Sequence, residues 1–577
     1  MTGTEKQIAT DNAATYTASQ LIESGLQSQH KNGSSDEKAT VSQDSNDLTQ
    51  FPRGAKLVVI LTALGLVNLL VSIDQSIVST AIPKITDEFH DIAAIGWYGS
   101  AYLLSIACCQ MLYGRLYTLL PVKTVFVVAI ILFEVGSIIC GAAPGSTALI
   151  VGRAIAGLGG SGIWSGILVI IAHCVPLRLR PGWAALDSIT FGLGSVLGPL
   201  IGGAFADGVT WRWCFYINAP LGGVATLVVA LFMPKIGSDK EQTSREAAPL
   251  GWRTELLRFD PVGIISIIIA MVFLLLALQY GGAQYAWSSG RIIAFLVVFA
   301  VFTIIFILTQ TFGDKVHRAI PKAVALQRTV LAGSFYFFCM GGAFTLLIYY
   351  LPVWFQAVQD VSAFISGVKT IPLMLAYIIS SIVSGIMITR VGYYTPFIIA
   401  SSVLMAIGAG MITTLNPSST AGAWIGYQVL FGFGLGLGCD VPFVAVQTVL
   451  PLDMVPSATA VLMFFQTLGA ATFISVAQSV FTNSAVGPLG KLAPDIDALN
   501  LLNSGFTDIR TTLDPAMSSQ VESVLNTAVD RTFLVGAIMA ALTFLGAVAI
   551  EHKSVRQDEE VEQNKSASAS GGGTTTT

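Results

Sequence analysis

The chain has 577 residues, of which 53% are hydrophobic and only 11% charged, and its 30 Lys+Arg against 34 Asp+Glu leave a net charge of -4. A soluble protein carries about 25% charged residues, so this composition, with a mean hydropathy of +0.71, excludes a soluble enzyme and a disordered scaffold. No basic field exists to hold a polyanion, which excludes a nucleic-acid binder. In chain order, residues 1–55 are polar and rich in Ser, Thr, Asp and Glu, and read as a disordered cytoplasmic tail rather than a signal peptide. Continuous apolar runs then follow near 57–81, 96–117, 123–142, 147–169, 182–206, 213–233, 260–280, 291–311, 329–355, 363–388, 396–414, 420–447, 457–483 and 531–550. A membrane span takes about 20 apolar residues, and a barrel would show short alternating segments instead. The fold class is therefore an all-α integral membrane protein with fourteen transmembrane helices. Residues 551–577 end in a Ser, Gly and Thr tail, again read as cytoplasmic.

Lys and Arg in the loops set the orientation. The 234–258 loop carries Lys235, Lys240, Arg245, Arg253 and Arg258, and the 312–328 loop carries Lys315, Arg318, Lys322 and Arg328. The 143–146 and 415–419 loops carry no basic residue. Both termini are expected in the cytoplasm, and the long 484–530 segment outside. The two Asn-x-Ser/Thr sequons, at Asn32 and Asn564, lie in the tails, so no glycan is expected. The seven cysteines form no CxxC and the histidines no ligand-spaced pair, so neither a disulfide framework nor a metal site is expected.

A weak repeat relates Gly114-Arg-Leu-Tyr-Thr118, after the second helix, to Gly385-Ile-Met-Ile-Thr-Arg390, after the tenth. If these correspond, helices 1–6 match helices 9–14. The organisation is then an N-terminal six-helix half at 56–233, a cytoplasmic loop at 234–258, a two-helix insert at 259–312, and a C-terminal six-helix half at 329–550 containing the 484–530 loop. Two related halves around a central path form the architecture of a secondary transporter.

The sharpest segment is Gly194-Ser-Val-Leu-Gly198-Pro199-Leu-Ile-Gly202-Gly203 in the fifth helix. Glycines four apart share one face and admit a close neighbour, while Pro199 removes a backbone donor. Plain helix packing is one reading. The segment also resembles the G-x-x-x-G-P-x-x-G-G signature of major facilitator antiporters. Leu149-Ile-Val-Gly-Arg153-Ala-Ile-Ala-Gly157-Leu-Gly159-Gly160 is similar to that superfamily's fourth-helix arginine motif. Asp74-Gln-Ser-Ile-Val-Ser-Thr-Ala-Ile-Pro83 is similar to the first-helix motif of the fourteen-spanner drug:proton antiporters. The runs Gly96–Leu104 and Trp211–Asn218 resemble the fungal branch, which includes toxin and multidrug efflux pumps. The superfamily loop after the second helix usually carries an Asp where this chain has Thr118, which puts a charge-relay gate there in doubt. Gly157-Leu-Gly159-Gly-Ser-Gly162 fits G-x-G-x-x-G but lies inside an apolar helix, so it reads as packing and not as a dinucleotide site. No Walker A lysine pattern occurs, so ATP is not expected to supply the energy.

Charge inside spans marks function or pairing. Asp74, Glu134, Arg153, Asp187 and Asp440 fall inside predicted helices. At 1.5 Å per residue Asp74 lies about 25 Å along an outward-running helix and Arg153 about 9 Å along an inward-running one, so both sit in the exoplasmic third. Asp74 and Arg153 are expected in one polar cluster that exchanges a proton, a static ion pair being the alternative. Glu134 is a third proton-coupling candidate. Asp187 and Asp440 suit either loop arginines or a substrate. Tyr102, Trp164, Tyr349, Trp354, Gln356 and Gln466 are candidates for a cavity that takes an amphipathic organic molecule. The expectation is a proton-coupled efflux transporter, monomeric and without cofactor, whose partners are a small-molecule substrate, protons and the lipid bilayer. The resemblance implies the plasma membrane, with the vacuolar membrane open, and a drug or self-made toxin as cargo. A facilitator-type importer of a nutrient or siderophore and a non-transporting membrane sensor are the rival readings.

Overall fold

The computed structural model describes residues 54–90, 95–233, 259–282, 285–312, 318–492 and 517–556. The chain divides into Met1–Gly54 and Ala55–Thr577, and every helix described belongs to the second unit. The 234–258 loop, Lys315, both sequons and most of both tails lie outside the described residues. The long helices are α1 (Ala55–Phe89), α2 (Ile95–Leu119), α3 (Val122–Gly141), α4 (Ser146–Cys174), α5 (Arg180–Gly208), α6 (Asn218–Phe232), α7 (Pro261–Tyr280), α8 (Gly290–Phe312), α9 (Arg328–Ala357), α10 (Ile371–Val391), α11 (Thr395–Ile412), α12 (Ala421–Gly438), α13 (Val455–Leu492) and α14 (Ser518–Ala549). Among the described residues 13 helices are long and apolar enough to cross a membrane, and there is no strand. The fourteenth expected span, α2, is a 25-residue helix that falls short on apolarity because it carries Ser100, Ser105, Gln110 and Arg115. It packs on α4, α7 and α13, and such an inner helix touches little lipid.

The pairing of helices carries the internal repeat. Contacts α1 with α5, α2 with α4, α3 with α4, α1 with α6 and α3 with α6 recur as α9 with α13, α10 with α12, α11 with α12, α9 with α14 and α11 with α14. Adding eight to each helix number converts one half into the other. The two halves meet through α2 on α13 and α5 on α10, a pair that the same operation exchanges. Helices α7 and α8 stand outside the repeat. α7 packs on α2 and α13, whereas α8 packs chiefly on α7 and buries only Ile292.

Several helix limits differ from the apolar runs. The 484–530 segment is helical at both edges, because α13 runs on to Leu492 and α14 begins at Ser518. Ala485 and Leu489, and Val521, Leu525, Ala528 and Val529, are buried one to two turns apart, so these extensions are amphipathic and read as polar in a hydropathy window. The 38 residues of α13 reach about 57 Å, well beyond a bilayer core of about 30 Å. The tenth and twelfth runs are broken. Pro372 cannot donate to Val368, and a separate turn, Ala363–Lys369, precedes α10. Pro442 cannot donate to Gly438, so α12 stops at Gly438 and resumes as Val441–Val449. Asp440 sits at that break.

Candidate functional site

The glycine-proline segment forms the seam between α5 and α1. A side chain at Gly194 would meet Ser72, one at Gly198 would overlap the Ser76 hydroxyl, and one at Gly202 would meet Thr80 and Ile77. Ser72, Ser76 and Thr80 are themselves four apart, so a hydroxyl ladder on α1 fits a glycine ladder on α5. Ser76 Oγ donates to Gly194 O at 2.8 Å, which becomes possible because the backbones approach so closely. Gly203 has open space instead. Pro199 stays within α5.

The seam fixes α1, and α1 turns Asp74 toward α4. Arg153 Nη1 meets Asp74 Oδ2 at 2.5 Å, and the two side chains are 1% and 0% exposed. Arg153 Nε donates to the Tyr98 carbonyl at 3.0 Å, and the guanidinium lies 4.2 Å from the Tyr102 ring centroid. Asn218, at the start of α6, donates through Nδ2 to Asp74 Oδ1 at 3.0 Å and to Ser137 Oγ at 3.2 Å. One turn before Ser137 on α3, Glu134 fills the space left by Gly222 of α6. Neither Glu134 oxygen has a hydrogen-bond partner among the described residues. The structure thus brings together the three residues expected to handle charge, inside one half and away from lipid. A buried pair is strongly destabilised if one partner is removed, because the other charge is left without compensation.

A second polar group crosses between the halves. Asp187 on α5 accepts from Asn68 Nδ2 through Oδ1 at 2.9 Å. Asp440 accepts through Oδ2 from Ser188 of the opposite half at 2.8 Å and from Ser381 at 3.0 Å. Neither carboxylate forms an ion pair among the described residues, so the expected loop arginines are not their partners there. Above them lies a cavity of about 570 Å³, reaching from Asp187 and Cys439 to Gly281 and Gln478. Of the six cavity candidates, Trp164, Tyr349 and Gln466 line it. Tyr102 does not, because it is sealed beneath Arg153. Trp354 donates instead to Asn526 of α14 at 2.8 Å, and Gln356 to Ser366 at 3.0 Å. Both are spent on packing the C-terminal half.

The cavity is closed at the end where α2 finishes. Gly114 brings α2 against Ala460 and Pro456 of α13, and Thr118 Oγ1 lies 3.2 Å from Ser457 Oγ. The related Gly385 brings α10 against Pro181 and Gly182 of α5. At the other end Arg212 binds both oxygens of Glu88, at 2.8 and 2.9 Å, and Trp211 Nε1 donates to Oε2 at 2.7 Å. The Arg212 hydrogen bond, with help from Trp211, holds the Glu88 carboxyl below its ordinary value. There too the insert spans toward the N-terminal half, with Gln279 Nε2 donating to Ser100 Oγ at 3.1 Å and Trp97 Nε1 to Tyr280 OH at 3.2 Å.

A family model of the Major Facilitator Superfamily matches residues 64–338 and 319–474. The chain belongs to that superfamily. Among its relatives, the MFS-type efflux pump MFS1 of Trichophyton rubrum is 45% identical over 521 residues, covering 90% of this chain and 96% of the relative. Efflux pump aflT of Aspergillus parasiticus is 46% identical over 507 residues, covering 88% and 97%. The aspyridones efflux protein of Neocamarosporium betae is 43% identical over 512 residues, covering 88% and 89%. The fold is that of the proton:xylose symporter XylE, with a TM-score of 0.56 at 14% identity, covering 88% of this chain and all of XylE. The human organic anion transporter MFSD10 gives 0.55 at 14% identity, covering 85% and 100%.

As a major facilitator protein the chain is a transporter, and the partners of several of its central residues carried no signal in the sequence. Asn218 closes the Trp211–Asn218 stretch near the start of an apolar run, and the structure shows it joining α1 to α3 at the ion pair. The Ser72, Ser76 and Thr80 ladder acquires its meaning only once α5 is placed on it. Asp440 and Ser188 are 252 positions apart and meet only across the two halves.

Proposed function

We propose that this transporter exports small amphipathic organic compounds, secondary metabolites among them, in exchange for protons. It acts as a monomer in the plasma membrane with both termini in the cytoplasm. The observation that carries the proton-exchange reading is the fully buried Asp74–Arg153 pair, with Asn218 and Glu134 beside it. No proton reaches Asp74 while α1, α4 and α6 stay closed around it. Parting these helices separates the carboxylate from the guanidinium and opens it to a proton, and their return re-forms the pair and closes it again. Helix rearrangement and protonation are thereby one event, as alternating access requires. The names of the relatives support the export direction and the metabolite cargo. The basic loops support the orientation, which makes the closed end cytoplasmic and the cavity accessible from outside.

The test is transport in sealed vesicles under an imposed pH gradient, with a panel of amphipathic fluorescent compounds, comparing wild type with Arg153→Ala. Gradient-driven movement that the substitution abolishes is the expected result. Equilibration that ignores the gradient would make the protein a facilitator and refute proton exchange. Arg153→Lys probes the guanidinium, whose fork geometry lysine lacks.

A further inference from the structure

We propose that the central cavity is a binding site for an amphipathic organic cation, whose charge is held at Asp187 and whose body lies along Trp164, Phe191, Phe344 and Tyr377. The inference rests on the transporter reading and names the class of substrate for it. Four observations converge. The cavity volume of about 570 Å³ suits a small organic molecule. Among the described residues, Asp187 alone contributes a formal charge to its lining. Its Oδ1 takes the Asn68 amide, and its Oδ2 has no hydrogen bond among those residues. The neighbouring Asp440 adds a second carboxyl group, bonded among the described residues by neutral donors, the Ser188 and Ser381 hydroxyls and the Cys439 thiol.

Hydroxyls and amides stabilise a carboxylate but do not cancel its charge. A cavity lined by one carboxylate, with the Asp440 carboxyl packed behind it, therefore repels an anion, is indifferent to the neutral part of a ligand, and attracts a positive centre. The walls favour the same ligand. Trp164 and Phe191 have ring centroids 6.3 Å apart, Phe191 and Phe344 6.3 Å, and Phe344 and Tyr377 6.4 Å. The row starts on α4 and α5 and ends on α9 and α10, so it crosses from one half to the other. Phe191 stands one turn beyond Asp187 on α5, which sets an aromatic ring beside the carboxylate. Aromatic faces attract cations and stack on apolar bodies, and both effects strengthen out of water. A ligand seated there touches both halves, and its binding energy is therefore able to bias their relative position.

The experiment is equilibrium binding to purified full-length protein in nanodiscs, with no gradient. The probes are (naphthylmethyl)trimethylammonium and its uncharged isostere, with carbon in place of the quaternary nitrogen. The expected result is cation binding at least about thirtyfold tighter than the isostere, since a desolvated charge partner is at stake. Asp187→Asn should bring the cation down to the isostere's affinity and leave the isostere unchanged. Phe344→Leu, which keeps the charge, should weaken the cation about tenfold and the isostere less. Equal binding of the two probes by wild type, no binding of the cation, or equal losses for both probes in Asp187→Asn would each overturn the site. Intact cation binding without gradient-driven transport would count against the export reading alone. Proton-driven export of a neutral compound by a protein that does not bind the cation would count against the cation site alone.

Discussion

Replacing Arg153 by Met keeps an unbranched, somewhat shorter side chain and removes its charge. Asp74 is 0% exposed and would retain only the Asn218 amide, at 3.0 Å. Breaking a buried pair in this way costs about 3–5 kcal/mol, which lowers the folding equilibrium at least a hundredfold. The double variant Asp74→Asn with Arg153→Met removes the stranded charge, and an amide at position 74 still pairs with Asn218. Its cost should fall to about 1 kcal/mol, a non-additivity of at least about 2 kcal/mol. Thermal unfolding of the purified proteins in one detergent measures Arg153→Met, Asp74→Asn and the double variant against wild type. Vesicle transport is read on the same preparations. If Asp74 and Arg153 carry the proton, the double variant regains stability but not gradient-driven transport. A single variant as stable as wild type would refute the burial argument. A double variant that regains proton-driven transport would make the pair a static strut.

The glycine seam makes two opposite predictions within ten residues. Gly198→Val, which drives a side chain into Ser76, should cost about 1–3 kcal/mol and reduce the yield of folded protein, whereas Gly203→Ala, facing open space, should unfold at the wild-type temperature. Gly114→Val should wedge α2 from Ala460 and Pro456, and a cysteine placed at Ser457 should then label faster with a polar maleimide. An unchanged labelling rate would mean that this contact does not seal the cavity. Glu88 is 45% exposed, so its bond to Arg212 contributes little and is weakened by salt. Its carboxyl lies below the ordinary value near 4.5, so the stabilisation is complete above that pH and disappears as the pH falls below it through the folded value. In low salt Glu88→Gln should flatten the acid limb of a melting-temperature profile, and an unaltered slope would show that the bond does not form.

Apolar run length by itself determined the all-helical class and the order of the long helices, because lipid demands about 20 apolar residues per crossing and closed backbone hydrogen bonding. Local spacing also exposed the glycine face of the fifth helix and the weak repeat between Gly114 and Gly385. Charge rarity inside the spans singled out Asp74, Glu134 and Arg153, since a lone intramembrane charge is costly enough to need a partner. Helix depth also put Asp74 and Arg153 in one cluster, but the further partners of each charge were settled by the tertiary structure alone. Asn218 reaches Asp74 from 144 positions away, and Glu134 has room because Gly222 stands opposite it. Aromatic residues were the least legible. Trp354 and Trp164 look alike in sequence, yet one donates to Asn526 inside a half and the other faces the cavity. The face of a helix that meets a cavity, a neighbour or lipid depends on how the helices are rotated against one another. That rotation is set by contacts between segments far apart in the chain, here the Ser76 ladder on Gly198 and the α2 and α5 contacts with α13 and α10. Composition and spacing report what a residue can do, and only the packed bundle determines what it meets.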